Sequence, residues 1–344
     1  MPTLKADAYG HGATRCALTL DREGAAWFGV ALPEEGLKLR EAGVTKPILA
    51  FGGFCEGQEE FIIEREITPV VSRLDLLERL NQAAKQSGVV FDCHLKVDTG
   101  MARLGVPFRA FGNFLDEVAK CEHLRLDGLM THFASADSVH EVEFTNHQAA
   151  LFQEALRLLR KHGFTPRWIH QANSAASHAY PQTRGNLVRL GGVMYGLWRD
   201  STKRDVAPLD WRPVMSLHTR IVHLKTVDSG TPLGYGGTFV TERKSRIATL
   251  PIGYADGLRR ALSNKWCVLV DCEFAPIVGR ISMDLTLVDV TDITRATLGD
   301  EVIIIGRQGE REITAEDMAA QLDTISYEVT CGISDRVPRV YKHE

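Results

Sequence analysis

Over the first two hundred positions, short runs of β-branched and aromatic residues alternate with longer stretches in which apolar residues recur at three and four. The runs predict strands at 2–5, 26–30, 47–51, 68–71, 90–97, 126–132, 167–171 and 187–194. Helical spacing is plain in Leu74, Leu77, Leu80 and Ala84, in Phe111, Leu115 and Val118, and from Phe144 to Leu159, where Phe152, Leu156 and Leu159 share a face. Ser72 and Gly88 mark a helix start and stop. Eight strands alternating with helices call for a parallel sheet, and closure into a (β/α)8 TIM-type barrel of the α/β class satisfies it. After about Tyr195 the rhythm changes. Leu197 to Trp211 is polar and proline-containing and reads as a linker. Strands are then predicted at 214–226, 245–252, 265–270, 274–279, 284–289 and 301–306, joined by short Gly or Asp turns, with one helix at Ala315–Leu322. The expected organisation is a barrel over 1–205 and a mostly-β domain over 206–344. Such a barrel has a helix for each strand, yet none follows the strand ending near Met194, and the chain begins almost on its first strand. One covering helix is therefore expected to be missing or supplied from upstream.

Composition narrows the class. Hydrophobic residues at 44% and charged residues at 24% are ordinary globular usage, which argues against disorder. A net charge of −4 offers no basic stripe for nucleic acid. No apolar run approaches the ~20 residues of a membrane span, and the opening Met-Pro-Thr-Leu-Lys has no signal-peptide pattern. Seven cysteines, an odd number without a CxxC pair, suit reduced thiols. The expectation is a soluble cytoplasmic protein that binds neither nucleic acid nor membrane.

In barrels of this kind the chemistry sits at the C-terminal ends of the strands. That position singles out Lys5, Lys96, His132, Asn173–Ser174 and Arg189. Singly, each has a plain reading: a solvated lysine, a structural histidine, a helix N-cap. Five polar groups at one level of one barrel are harder to assign to chance. A lysine in a desolvated mouth can lose its proton and attack carbonyl carbon. Ala172-Asn-Ser-Ala-Ala and Val188-Arg-Leu-Gly-Gly supply backbone N–H groups, a hydroxyl and glycines after the last two strands, where such barrels often bind phosphate. A nucleophilic lysine facing a phosphate cradle is what pyridoxal 5′-phosphate requires. In the β domain, Tyr254, Met283 and Tyr327 read on their own as turn and strand-end residues.

The chain resembles the alanine racemase family from about Thr3 to Tyr341, through an ordered set of motifs. They are Lys5-Ala-Asp-Ala-Tyr-Gly-His-Gly, Lys96-Val-Asp-Thr-Gly-Met-Ala-Arg-Leu-Gly, Thr131-His-Phe-Ala-Ser-Ala-Asp, Ala172-Asn-Ser-Ala-Ala, Met194-Tyr-Gly-Leu, Ile252-Gly-Tyr-Ala-Asp-Gly, Gly279-Arg-Ile-Ser-Met-Asp and Arg336-Val-Pro-Arg. The resemblance implies a pyridoxal-phosphate enzyme that interconverts L- and D-alanine. Lys5 would form the internal aldimine and act as base on one face; Tyr254, from the other subunit of a homodimer, would act on the opposite face. An ordinary tyrosine pKa near ~10 is too high for that task, and the resemblance assigns the tuning to His132 and Arg189. Arg189 matches the donor to the pyridine nitrogen. Tyr9, Asn173, Ser174, Gly191, Gly192 and Tyr327 match the cofactor cradle; Arg103 and, from the other subunit, the Met283 N–H match carboxylate donors. Lys96 matches a lysine often carried as a carbamate, which would hold Arg103 by a charge-assisted pair. Asp137, Arg280 and Ile325 match the substrate entryway. The family has a strand and helix upstream of its lysine, where this chain has four residues, which implies a truncated or misassigned start.

Other readings stay open at this point. A broad-specificity racemase would share every motif, and a basic amino-acid decarboxylase shares the barrel and cofactor. A non-catalytic pyridoxal-phosphate-binding protein would have no need of the β domain. A metal-dependent hydrolase could use His94, His132 and His170 with a carbamylated Lys96, although no HxH or HExxH pattern is present and no metal is expected.

Overall fold

The computed structural model describes residues 1–197 and 211–342, which form two compact units. One is Met1–Met194; the other is built mainly from Arg212 onward and includes Tyr195–Leu197. The expected boundary between 205 and 206, and most of the expected linker, lie outside the described residues.

In the first unit, β1 (Phe28–Val30), β2 (Ile48–Ala50), β3 (Ile67–Val71), β4 (Phe91–Asp98), β6 (Leu124–Met130) and β7 (Trp168–His170) pair in that order, all parallel, with the short β5 (Val106–Pro107) beside β4. The chain start closes the ring. Leu4 N–H donates to Gly29 O at 2.7 Å, and Gly29 N–H to Pro2 O at 2.8 Å; on the other side Thr3 N–H donates to Leu190 O at 2.7 Å. Residues 1–4 are thus the first barrel strand, and Leu190 stands for the eighth. Arg189 N–H to Ala172 O, at 3.0 Å, ties that eighth position to the segment after β7. The expected strand at 187–194 contracts to this bridge because the chain turns at Gly191 into a 3₁₀ segment, Gly192–Tyr195.

Helices follow the turn Lys5–Tyr9 (α1): α2 (Ala13–Arg22), α3 (Pro33–Glu41), α4 (Glu59–Glu64), α5 (Leu74–Gln86), α6 (Phe111–Val118), α7 (Val142–Lys161) and α8 (Ser174–Ala179). The periodicity holds: α5 buries Leu76, Leu77, Leu80, Ala83 and Ala84, and α7 buries Phe152, Ala155, Leu156 and Leu159. Ser72 does not cap α5; Arg73 takes that position, without a side-chain hydrogen bond. A core of Met1, Trp27, Leu49, Val70, Met130 and Leu187 is packed by Phe51 and Trp168.

The second unit is mostly antiparallel. A three-stranded sheet runs β15 (Thr286–Asp289), β12 (Ser245–Leu250), β9 (His223–Val227). A five-stranded sheet contains β14 (Glu273–Pro276), β13 (Cys267–Val270), β16 (Glu301–Gln308) and β17 (Arg311–Ile313), with β8 (Leu217–Arg220) also on β16. The strand expected at 214–226 is therefore two. The chain changes sheets at Ile221–Val222, where Ile221 N–H donates to Asp300 O and Val222 N–H to Thr249 O, both at 3.0 Å. β10 (Pro232–Leu233) and β11 (Phe239–Val240) add a small hairpin. α9 (Ala315–Leu322) matches its expected bounds and starts on a capping box, Thr314 Oγ1 accepting from Asp317 N–H. A second helix, α10 (Ser326–Cys331), replaces the strand end expected there. Among the described residues no helix is long and apolar enough to cross a membrane.

Gly128 in β6 faces the His94 ring so closely that a Cβ would stand 2.4 Å from its Nδ1. That ring is fully buried and hydrogen-bonded to His170, so it has nowhere to move. Gly128→Ala is expected to destabilise the barrel by roughly 1–3 kcal/mol, as overpacking does. Thermal unfolding should show a lowered midpoint; an unchanged one would contradict the packing.

Candidate active site

The first barrel strand ends at Leu4, and Lys5 opens a turn of unusual hand. Ala6, Asp7, Ala8 and Tyr9 have φ of 51°, 53°, 55° and 56°, and Gly10 continues at 84°. Left-handed backbone costs an L-residue roughly 1–2 kcal/mol, so the four together store roughly 4–8 kcal/mol that the surroundings must offset. Ala8 N–H donates to Leu4 O at 2.8 Å and Gly10 N–H to Ala6 O at 3.0 Å. The Asp7 carboxylate accepts Ala13 N–H at 2.7 Å, the His11 ring Nδ1–H donates to Ala8 O at 2.9 Å, and Glu35 accepts Ala6 N–H at 2.7 Å. The turn sets Lys5 Nζ 5.8 Å from the centroid of the Tyr9 ring. Tyr9 Oη in turn lies against Gly191, where a Cβ would stand 2.5 Å away.

Arg189 is buried beside the eighth strand position. One terminal nitrogen donates to His170 O at 2.9 Å and to His170 Nδ1 at 3.0 Å. The other donates to Thr131 O at 2.7 Å, Gln171 O at 2.9 Å and His132 Nδ1 at 3.3 Å. Burial pulls its pKa down to about 9, which leaves it a cation at neutral pH. A guanidinium only donates, so both Nδ1 atoms must accept. His170 therefore carries its proton on Nε2 and passes it as a hydrogen bond to His94 Nδ1 at 2.9 Å. Burial, then the charge of Arg189, hold His132 and His170 well below the ordinary imidazole range; burial and the nearby arginines hold His94 at about 3. All three rings are neutral. No bond among the described residues leaves Arg189 Nε, so one donor of this cation is uncommitted.

Lys96, two residues before the end of β4, is buried among positive charge. Burial first, then Arg189 and Arg103, lower its amine to about 8. Thr99, just beyond it, meets Thr131 Oγ1 at 2.8 Å. Gln148 of α7, fully buried, donates to Thr99 Oγ1 and His132 O and accepts Ala134 N–H at 3.0 Å. The loops carrying Lys96, exposed Arg103, His132 and Asp137 are thus bound to one another. After β7, Asn173 caps α8, its side chain accepting Ala176 N–H at 2.9 Å, while Ser174 Oγ accepts Gly191 N–H at 2.8 Å. Gly192 begins the 3₁₀ segment next to this contact.

His94, His132 and His170 do come together, but both nitrogens of His170 and the Nδ1 atoms of His94 and His132 are committed to a line of hydrogen bonds that begins at a cation. Among the described residues no three His, Cys, Asp or Glu side chains are grouped to hold a metal.

In the β domain, Tyr254 N–H and Ala255 N–H donate to Ser282 O at 3.0 Å and Met283 O at 3.1 Å. Gly253 makes this possible, since a Cβ there would lie 2.3 Å from both carbonyls. The same loop meets the end of α10, where Ser334 N–H donates to Asp256 O at 3.2 Å. Tyr254, Met283 and Ile325 are exposed, with Tyr327 half-buried on α10 and Arg280 beside the 282–285 turn. Two loops and the start of α10 in one domain therefore present all five residues.

Residues 1–198 match the model of the alanine racemase N-terminal domain, and 214–341 that of the C-terminal domain. The chain belongs to the alanine racemase family. The alanine racemase of Halothermothrix orenii is 45% identical over 345 residues, spanning 100% of this chain and 90% of the relative. The solved alanine racemase of Clostridium difficile 630 is 39% identical with a TM-score of 0.91, covering 98% of this chain and 87% of that one. That of Bartonella henselae, solved with covalently bound pyridoxal phosphate, is 29% identical with a TM-score of 0.88, covering 99% and 92%. The alanine racemase family is one of isomerases, and the barrel-plus-β architecture of its solved members is the fold of this chain.

Within this alanine racemase fold, Glu35, Gln148 and His170 serve the site without a strong sequence signal. Gln148 left one trace: it falls on the apolar stripe of α7, four positions before Phe152. His94 and His170 were visible only as histidines, and Glu35 reads as a surface acid.

The lowered Lys96 amine has a pH consequence. Near pH 9 it is mostly neutral and able to add carbon dioxide, forming an N–C bond and releasing a proton; toward pH 6.5 it is protonated and cannot. With 13C-bicarbonate, a carbamate carbon resonance is expected at alkaline pH, fading as pH falls below about 8 and absent from Lys96→Arg. A signal indifferent to that substitution would place the carbamate elsewhere.

Proposed function

We propose that this chain interconverts L- and D-alanine as a homodimer, using pyridoxal 5′-phosphate held on Lys5. The observation that carries the reading is the conjunction at the barrel mouth of a lysine on a strained turn and a buried guanidinium with one uncommitted donor. The residues fit the cofactor: an amine for its aldehyde, Arg189 Nε for its ring nitrogen, and beside Tyr9 and Ser174 a glycine, Gly191, where a Cβ would stand 2.5 Å from the Tyr9 hydroxyl, so that bare backbone lines the cradle there. Asn173, Gly192 and Tyr327 complete the proposed cradle. When bound, the cofactor withdraws electron density from the substrate α-carbon and makes its proton acidic.

The remaining work belongs to the chain. Inversion needs a proton removed from one face of a planar centre and returned to the other, so two acid–base groups must flank it. Lys5 Nζ serves one face and Tyr254, from a second copy, serves the other. His132, whose Nδ1 accepts from Arg189, is left with Nε2–H as a donor toward that tyrosine. Arg189 keeps its proton and would donate from Nε to the bound cofactor's ring nitrogen without protonating it, an arrangement that would favour return of the proton to the α-carbon. Arg103 and, from the second copy, the Met283 N–H bind the carboxylate, with an anionic Lys96 carbamate holding Arg103 in place. Asp137, Arg280 and Ile325 border the entry. Met283 and Tyr327 favour a methyl side chain, but a pocket separates one methylene by only ~1–3 kcal/mol, so serine is expected as a slower substrate.

Borohydride treatment of the purified protein should bleach a visible band and leave pyridoxyl mass on Lys5; mass on another lysine would refute the assignment. Tyr254→Phe should keep that band and lose racemisation by roughly 10²–10⁴-fold. In deuterium oxide it should still exchange the α-proton of one alanine enantiomer without inverting it. Exchange of both enantiomers at equal rates would contradict two bases on two faces.

A further inference from the structure

We infer that Glu35 is the positioning residue for Lys5, acting through the left-handed turn; the inference rests on Lys5 being the cofactor lysine. Glu35 lies on α3, in the connection after the second barrel strand. Its Oε1 accepts the N–H of Ala6, the residue directly after Lys5, at 2.7 Å. Its Oε2 accepts Ala31 N–H at 2.7 Å and Leu32 N–H at 3.2 Å. One carboxylate therefore clamps together the loops that follow the first two strands of the barrel.

The turn needs such a clamp. Its internal bonds, from Ala8 to Leu4 and from Gly10 to Ala6, join residues four apart and would close a right-handed turn equally well. They do not choose the hand. Backbone held in a sparsely populated region persists only where the surroundings over-determine it, and the contacts that do so come from outside the backbone ladder. Asp7 anchors the far end through Ala13 N–H, and Glu35 anchors the near end at Ala6. The near end is the one that sets Lys5, because the peptide between Lys5 and Ala6 is fixed by that bond. The negative ion is also specific to the task. It has two acceptor oxygens for two loops, whereas a glutamine of the same shape has one acceptor and one NH₂, and the NH₂ would face backbone donors. Glu35→Gln can satisfy one loop or the other.

The test uses the full chain as wild type, Glu35→Gln and Glu35→Ala. Both variants are expected to lower kcat by about 10- to 100-fold with KM nearly unchanged, the effect of a displaced reacting group, and to move the pH at which the visible cofactor band titrates. In the cofactor-free protein, backbone amides in 4–12 should exchange with solvent at least about 10-fold faster. Should Glu35→Ala fail to fold, the isosteric Glu35→Gln decides alone. A lowered unfolding midpoint with kcat and band titration as in wild type would make Glu35 structural only and overturn the proposal. Borohydride mapping of the wild type separates the two levels: mass away from Lys5 overturns the reading of the lysine, and the proposal with it. Mass on Lys5 with fully active Glu35 variants overturns the proposal alone.

Discussion

Among the described residues no carboxylate pairs with Arg189; its charge is met by three backbone carbonyls and two imidazole nitrogens. Burying a charge costs several kcal/mol unless its donors are well satisfied, and here five bonds from two nitrogens do so. Those acceptors belong to the last residue of β7 and to the segments after β6 and β7, so the cation fastens the last three strand ends of the barrel to one another. Its field also fixes the chemistry around it. It obliges His132 and His170 to accept, which determines where their protons lie. It pushes the Lys96 amine down as well. A neutral residue at 189 would remove the constraint on all of these at once.

The other side of the mouth is held by strain opposed by hydrogen bonds. Four left-handed residues follow Lys5, and the carboxylates of Asp7 and Glu35 take backbone donors at either end of that turn. The two sides meet where the Tyr9 hydroxyl lies against Gly191. A side chain larger than hydrogen there would push the turn away from the segment that carries Arg189. The β domain shows the same economy: Gly253 lets the Tyr254 loop lie directly on the carbonyls of Ser282 and Met283.

The barrel was legible because seven of its strands are short β-branched or aromatic runs between amphipathic helices, and because polar groups just past those runs fall at the C-terminal rim. The eighth strand misled because Leu187 to Met194 is apolar enough for a strand, while Gly191 and Gly192 bend it into a turn. Residues 214–226 were read as one strand although their alternation changes phase at Ile221–Val222, two apolar residues in succession, and that is where the chain changes sheet. α10 is six residues long and carries Tyr327 and Val329, a composition that suits a strand equally well. The hand of the turn after Lys5 leaves no mark in Ala-Asp-Ala-Tyr, since it is imposed by partners distant in sequence. Glu35 was invisible for the same reason. The racemase family was readable from ordered motifs, whereas the line from Arg189 through His170 to His94 needed coordinates.

The most direct test of this account is a 15N titration of the histidine side chains, with His94, His132 and His170 assigned by single substitution. A buried cation bonded to two imidazoles requires all three rings to stay neutral from pH 6 to 8.5, with His170 protonated on Nε2 and His132 unprotonated on Nδ1. An imidazole among the three that gains a proton between pH 6 and 7, or a His170 protonated on Nδ1, would contradict it.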